Sequence, residues 1–451
     1  MQSIQPSLSS AADVFNNPRL LESASGALLA SKLFYQLKPS TKPILKNRRT
    51  VFFNSDRSSY NQNNVVIIEI NSQDMLDVSN SYISFKMVPR FRSMTLGGGS
   101  TARLISNWKI TGFGGVPLEE FSDVGLFQEL TEKNSCDPGW LYTVGQAHGW
   151  RTDPTSQEYK DLFKNTLGAA GGATDNTDQL SSPATQTFIL DLSFSGILGH
   201  VSQYLPLRHA GTLRVEITLN NADQAFTDTA DHAAAVGGPQ RDYKIHDVQY
   251  IADVVSLSDD VMRAITDHVN EGKMLISYPC VSVNNFNVNA NETNTTLNLN
   301  RSVTDIRGVY AVPRNTTNLN SLAVNSFASL PHDDVEEWQF NLGTNYYPTR
   351  PINDSVNSYL YSSVRAFGRG YNNHMFPALS LIDYKTNSYH ISCDFELDPS
   401  SSMTGENTRN GNFISLRLKL KSTAYAKTMT TYLLYTRVLN ILPNNQLVIN
   451  E

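Results

Sequence analysis

The chain opens with apolar positions at helical spacing and then changes to alternation with a period of two. From Arg19 to about Leu37, Leu20, Leu21, Ala24, Leu28, Leu29, Leu33 and Phe34 recur at three- and four-residue intervals. Asn17 and Pro18 supply an N-cap and a first-turn proline, and Pro39 and Pro43 follow the end, so one helix is predicted there. After Thr50 the runs are short and β-rich, bounded by Gly, Asn, Asp and Ser. Strands are predicted near Thr50 to Phe53, Val65 to Ile70, Tyr82 to Val88, Leu104 to Ile110 and Thr187 to Leu192. A short helix is predicted between Asp123 and Glu132, followed by a long exposed connection through Gly168 to Ser182, and an extra loop around Asn221 to Gln240.

Two patterns recur. Leu213, Val215, Ile217 and Leu219 alternate with Arg214, Glu216 and Thr218, and Ile414, Leu416, Leu418 and Leu420 alternate with Ser415, Arg417 and Lys419 at an offset of 201. After each comes a second echo, Tyr250, Ile251, Val254, Val255 and Leu257 against Leu434, Tyr435, Val438, Leu439 and Ile441, at an offset of 184. The offsets differ by 17, the length of an extra loop in the first half. This predicts two copies of one β plan. Ser258 to Glu271 reads as a helix between them, with Asp259 and Asp260 in its first turn and Gly272 just past its end. The expected division is a basic helical arm over 1-48, a first β domain over 49-257, a linker helix over 258-272, a second β domain over 273-442 and a tail over 443-451.

At 451 residues the chain is long enough for two cores, and its composition, 40% hydrophobic and 17% charged, is that of a packed protein with a lightly charged surface. The net charge of -6 argues against a general polyanion binder. The first fifty residues differ, with Arg19, Lys32, Lys38, Lys42, Lys46, Arg48 and Arg49 against Asp13 and Glu22, or +5, leaving -11 on the rest. Cys136, Cys280 and Cys393 are distant and odd in number, which suits a reducing compartment. Neither a signal peptide nor an apolar run of membrane-spanning length is visible, so synthesis without secretion is expected.

Candidate chemistry is sparse. Gly97, Gly98 and Gly99 have no following Lys-Ser or Lys-Thr and read as a hairpin turn. The nine histidines form no close ligand pair, although His200 and His209 flank one segment. Asp333, Asp334, Glu336 and Glu337 lack calcium-loop spacing and read as a solvated loop before Trp338. Tyr346, Tyr347 and Arg350 read as packing residues rather than a ligand platform. Sequons at Asn291, Asn294, Asn300, Asn315 and Asn353 are expected to go unused without secretion. No catalytic, cofactor-binding or metal-binding residue is assigned, and no enzyme is expected.

Residues Gln186 to Phe226, QTFILDLSFSGILGHVSQYLPLRHAGTLRVEITLNNADQAF, resemble the first-domain signature of double jelly-roll major capsid proteins of eukaryotic DNA viruses, nearest to those of virophages, polinton-like viruses and nucleocytoplasmic large DNA viruses. YIADVV at Tyr250 to Val255, WQFNLGTNYYPTRPI at Trp338 to Ile352 and the YLLYTRVLNI run resemble the same family in the same order. The resemblance implies an all-β fold of two consecutive eight-stranded jelly rolls with an N-terminal helix and a few short helices. It implies a homotrimer forming a pseudo-hexameric capsomer of an icosahedral virion, made in the host cytoplasm, with penton and minor capsid proteins as further partners. The basic arm would face an inner membrane or packaged DNA. A β-sandwich glycan- or receptor-binding viral surface protein is the alternative.

Overall fold

The computed structural model describes residues 45-89, 94-96, 99-150, 187-228, 242-319, 321, 324-367, 378-396, 404-409 and 411-451. The expected helix at Arg19 to Leu37 lies outside these residues, as do Arg19, Lys32, Lys38 and Lys42. Residues 47-451 make one compact unit.

Its first half contains β1 (Leu45–Asn54), β2 (Val65–Ile70), β3 (Met75–Pro89), β4 (Ile105–Thr111), β5 (Pro117–Ser122), β6 (Thr187–Asp191), β7 (Leu213–Leu219) and β8 (Tyr243–Leu257). The second contains β9 (Met274–Val288), β10 (Asn294–Leu299), β11 (Ile306–Asn315), β12 (Val335–Leu342), β13 (Asn345–Ile352), β14 (Ile391–Asp394), β15 (Ile414–Leu420) and β16 (Lys427–Leu442). The first half pairs them as β1-β8-β3-β6 and β2-β7-β4-β5. The second pairs them as β9-β16-β11-β14 and β10-β15-β12-β13, the same two orders with eight added to each strand number. Non-sequential neighbours in two facing four-strand sheets are the jelly-roll pattern, and it occurs twice. Short strands such as Ser59–Asn61 and Leu205–Pro206 extend the first half's larger sheet.

Both sequence echoes fall on equivalent strands. In β7 the apolar positions are buried and the polar ones face outward, and β15 does the same. Ile217 lies opposite Trp108 of β4, and Leu418, its echo, lies opposite Trp338 of β12. Both tryptophans are almost wholly buried. The two long strands β8 and β16 begin 184 residues apart, at Tyr243 and Lys427. Twenty-three residues separate β7 from β8 but only six separate β15 from β16, which is the 17-residue difference between the offsets.

Three local expectations change. Residues 45-48, placed in the helical arm, begin β1; there Arg48 pairs with Asp77 and Asp253 at 3.0 and 2.7 Å, and Arg49 with Asp74 at 3.3 Å. These two charges are neutralised inside their own sheet rather than offered to an outside polyanion. In the 443-451 tail, Gln446–Asn450 forms β17 against the end of β16, from Val438↔Asn450 to Leu442↔Gln446. The expected turn at Gly97 and Gly98 lies outside the described residues; beside it Met94–Thr95 pairs with Thr227–Asp228, and Gly99 leads to a 3-10 helix at Thr101–Leu104. Asp334 is not solvated but buried, accepting a hydrogen bond from Tyr425 Oη, whereas Asp333 is exposed.

Two longer helices complete the frame. One, α2 (Asp259–Asn270), stands between β8 and β9 with only Val269 buried, and Ser258 before it makes no side-chain cap. The other, α1 (Val124–Ser135), is buried along most of its length. Phe127 shows why: its ring lies near Phe121 of the first half and near Tyr310 and Tyr432 of the second. The halves touch closely at Gly196, where an added Cβ would stand 1.6 Å from the Pro279 carbonyl oxygen in β9. Backbone blocks that space, so Gly196→Ala is expected to cost roughly 1–3 kcal/mol, read as a lower urea midpoint with an unchanged m-value; an unchanged midpoint would show that the halves do not meet so closely in solution.

Candidate functional site: the polar seam between the two jelly rolls

Helix α1 brings charge into the interior. Arg103, 1% exposed, reaches Glu129 Oε2 with Nε at 2.8 Å and Nη2 at 2.6 Å, and Lys133 Nζ holds Glu129 Oε1 at 2.6 Å. Burial pushes the Glu129 carboxyl up, but the charges of Arg103 and Lys133 outweigh it and hold the group below its ordinary range. Both cations also reach the second half. Arg103 donates to Asn325 Oδ1 at 3.0 Å and lies over the Phe327 ring, and Lys133 donates to Ser388 Oγ at 3.0 Å. One buried triad therefore ties the helix to both jelly rolls.

Strand β5 is the edge of its sheet, and second-half side chains take up backbone groups at its ends. The Leu118 carbonyl accepts from Tyr278 Oη and from Arg437 Nη1, each at 2.8 Å. The Asp123 carbonyl accepts from Tyr432 Oη at 2.9 Å, while its carboxylate accepts from Asn285 at 3.0 Å. An open strand edge invites pairing with another chain, and this one is partly closed from within. Arg437 is in turn held by Glu451, which also pairs with Arg301.

Burial shifts two carboxyls on this seam. Glu119 accepts from Ser195 Oγ at 2.7 Å and from the Gly196 N–H at 2.9 Å, yet burial pushes it up to about 7. Glu132 accepts from Gln128 Nε2 at 2.7 Å and from Trp150 Nε1, and burial pushes it up to about 8. A ring nitrogen of His148 and a carboxylate oxygen of Asp191 lie within 4.8 Å of a Glu132 oxygen and of each other. The sequence, where these residues stand 16 and 43 positions apart, carried no spacing signal for this grouping.

The other singled-out residues do not converge. His200 faces the Ser193 carbonyl at 2.6 Å and His209 faces Thr266 Oγ1 at 3.3 Å. Tyr347 packs edge-on against Phe395, while Tyr346 and Arg350 are exposed. Asn291, Asn294, Asn300 and Asn353 are exposed, and Asn315 caps a 3-10 turn. The Cys280 and Cys393 thiols are buried and pushed up, Cys393 to about 12, which leaves them inert at neutral pH. A cleft of about 350 Å³ beside α1 holds the Arg307–Glu396 ion pair, Asp394 and Tyr310. Ser193 and His200 also line it, but the imidazole faces the Ser193 carbonyl while the Ser193 hydroxyl is engaged with Gln128.

No protein-family model and no curated protein matches the sequence. Solved structures do. A chain of the PBCV-1 virus capsid is similar with a TM-score of 0.60 and 10% identity, over 93% of this chain and 99% of that one. The Faustovirus major capsid protein gives 0.56 and 9%, over 96% and 98%, and a chain of the Sputnik virophage gives 0.53 and 12%, over 94% and 92%.

Two outcomes test the seam. Replacing Arg103 by Met leaves Glu129 buried with one partner fewer, so about 3–5 kcal/mol of unfolding free energy should be lost in urea titrations; a loss under about 1 kcal/mol would mean that the triad is dispensable. For Glu119 the folded-state pKa lies above the ordinary 4.5. Below about pH 4.5 both states hold the proton; from there to about 7 the unfolded chain releases it first and stability falls, by about 3 kcal/mol in all. Glu119→Gln imitates the protonated form, so its stability should decline less across that range and exceed that of the parent at pH 8, the part due to Glu132 remaining. Parallel pH profiles would refute the assignment.

At about one identical residue in ten, what this chain shares with these capsid chains over nearly its whole length is the fold, a double jelly roll.

Proposed function

We propose that this chain is the major capsid protein of an icosahedral DNA virus, a homotrimer whose six jelly rolls give a pseudo-hexameric capsomer. The observation that carries the reading is the length of the match: 93% and 96% of this chain against 99% and 98% of the PBCV-1 capsid chain and the Faustovirus major capsid protein. The geometry suits it. Two sandwiches with one strand plan, fixed to each other by a buried helix, make a stiff block in which three copies present six similar units. A shell needs rigidity and complementary surfaces, not a reactive centre.

Exposed apolar residues supply candidate contact surface. Leu275 lies opposite Asn440, which lies opposite Val448 on β17, so both apolar side chains flank Asn440 on one face. They are 58% and 43% exposed. Val356 and Ile382, 51% and 74% exposed, stand on neighbouring short helices at Ser355–Tyr359 and Leu381–Thr386. In this reading these patches meet other copies, penton or minor capsid proteins, and Arg19, Lys32, Lys38 and Lys42 turn inward to an anionic lipid or DNA surface. The virion is then its place of work.

Light scattering with negative-stain imaging tests the proposal. A particle near 150 kDa, three times the 50.1 kDa chain, with a hexagonal outline is expected. A stable monomer at shell-like concentration would overturn it and favour a glycan- or receptor-binding role.

A further inference from the structure

We infer that Glu132, His148 and Asp191 form a buried divalent-cation site, best suited to zinc, that fastens the loop after α1 to the first jelly roll. One ligand atom from each lies within 4.8 Å of the other two. They come from separate, fixed elements: Glu132 from α1, Asp191 from the end of β6, His148 from the loop between them. The loop is held by its backbone. Ile189 N–H donates to the Ala147 carbonyl at 3.0 Å, Thr101 N–H to the His148 carbonyl at 2.8 Å and Trp150 N–H to the Gly145 carbonyl at 2.8 Å.

A second observation points to a ligand. His148 is 8% exposed, and its Nδ1, out of reach of solvent, has no hydrogen-bond partner in the protein. A buried polar atom without a partner costs on the order of 1–3 kcal/mol, and one ring nitrogen of the same imidazole stands beside two carboxylates. Two carboxylates close together away from water stay charged together only when a cation stands between them; otherwise one keeps its proton. The nearby cations are committed elsewhere, since Arg103 and Lys133 both engage Glu129. A divalent ion would answer the imidazole lone pair and the paired charges together.

The surroundings resemble those of a metal ligand set. Gln128 Nε2 and Trp150 Nε1 each donate to one Glu132 oxygen, fixing the carboxylate plane while leaving a second lone pair on each oxygen. One imidazole with two carboxylates suits zinc, which accepts mixed N and O donors. Bonds of about 2.0–2.2 Å place donors roughly 3.4 Å apart in a tetrahedron, so a contraction of at most about 1.4 Å closes the site. Asp191 is only half-buried, which leaves an entry path and a fourth position for water. Gly149, at φ 85° between His148 and Trp150, allows the backbone to turn there; an added Cβ would press on Leu96 at 3.0 Å.

The full-length chain, stripped with a chelator and then dialysed against zinc sulfate, is tested for metal content by mass spectrometry and for affinity by competition with a chromogenic chelator. One zinc per chain is expected, with a change in tryptophan fluorescence from Trp150. Asp191→Asn and His148→Gln should weaken binding by at least about tenfold while far-ultraviolet circular dichroism and oligomer size stay unchanged. Parent protein that keeps no zinc, or variants that keep as much as the parent, would overturn the site. Should a variant fail to fold, the cobalt-substituted parent decides: tetrahedral visible absorption bands support the site, and their absence removes it.

Discussion

One requirement governs the centre of the seam between the two jelly rolls: a helix carrying Gln128, Glu129, Glu132 and Lys133 is buried along most of its length, so each of these groups must find a partner away from water. The partners come from both halves. Arg103 answers Glu129 and continues to Asn325, and Lys133 continues to Ser388. Apolar packing holds two sandwiches together at many relative angles, whereas a hydrogen-bonded charge set tolerates few. The stack of Phe127 with Tyr310 and Tyr432 supplies area; the triad supplies register.

The duplication was legible because alternation with one wet face leaves a mark in sequence. Offsets of 201 and 184 located β7 with β15 and β8 with β16, and their difference measured the longer loop. The paired tryptophans Trp108 and Trp338 were equally visible but stand 230 residues apart, so no common offset linked them. Boundaries that depend on pairing were not legible: β1 begins at Leu45, ahead of the β-rich run at Thr50 to Phe53, and β17 forms at all, because β8 and β16 have free edges for them.

The seam was less legible still. Arg103, Glu129 and Lys133 look like ordinary surface charges in sequence, and only the fold reveals that sheets cover them from both sides. Asp334 failed for the same reason. It sits in an acidic run that reads as solvated, yet Tyr425, 91 residues later, reaches back to it. His148, Glu132 and Asp191 meet only because α1, a loop and β6 converge, and such convergence leaves no spacing to read.

The closure of β5 also sets an order in time. Leu118 is separated from Arg437 by 319 positions and from Tyr278 by 160. At about 5–20 residues per second, a ribosome needs roughly 15 to 60 s between making the carbonyl and making the guanidinium that covers it. During that interval the first jelly roll carries an open edge among many identical nascent chains, all of them able to pair with it. A cell that makes this protein in quantity therefore has to keep neighbouring chains apart until the second half has been built.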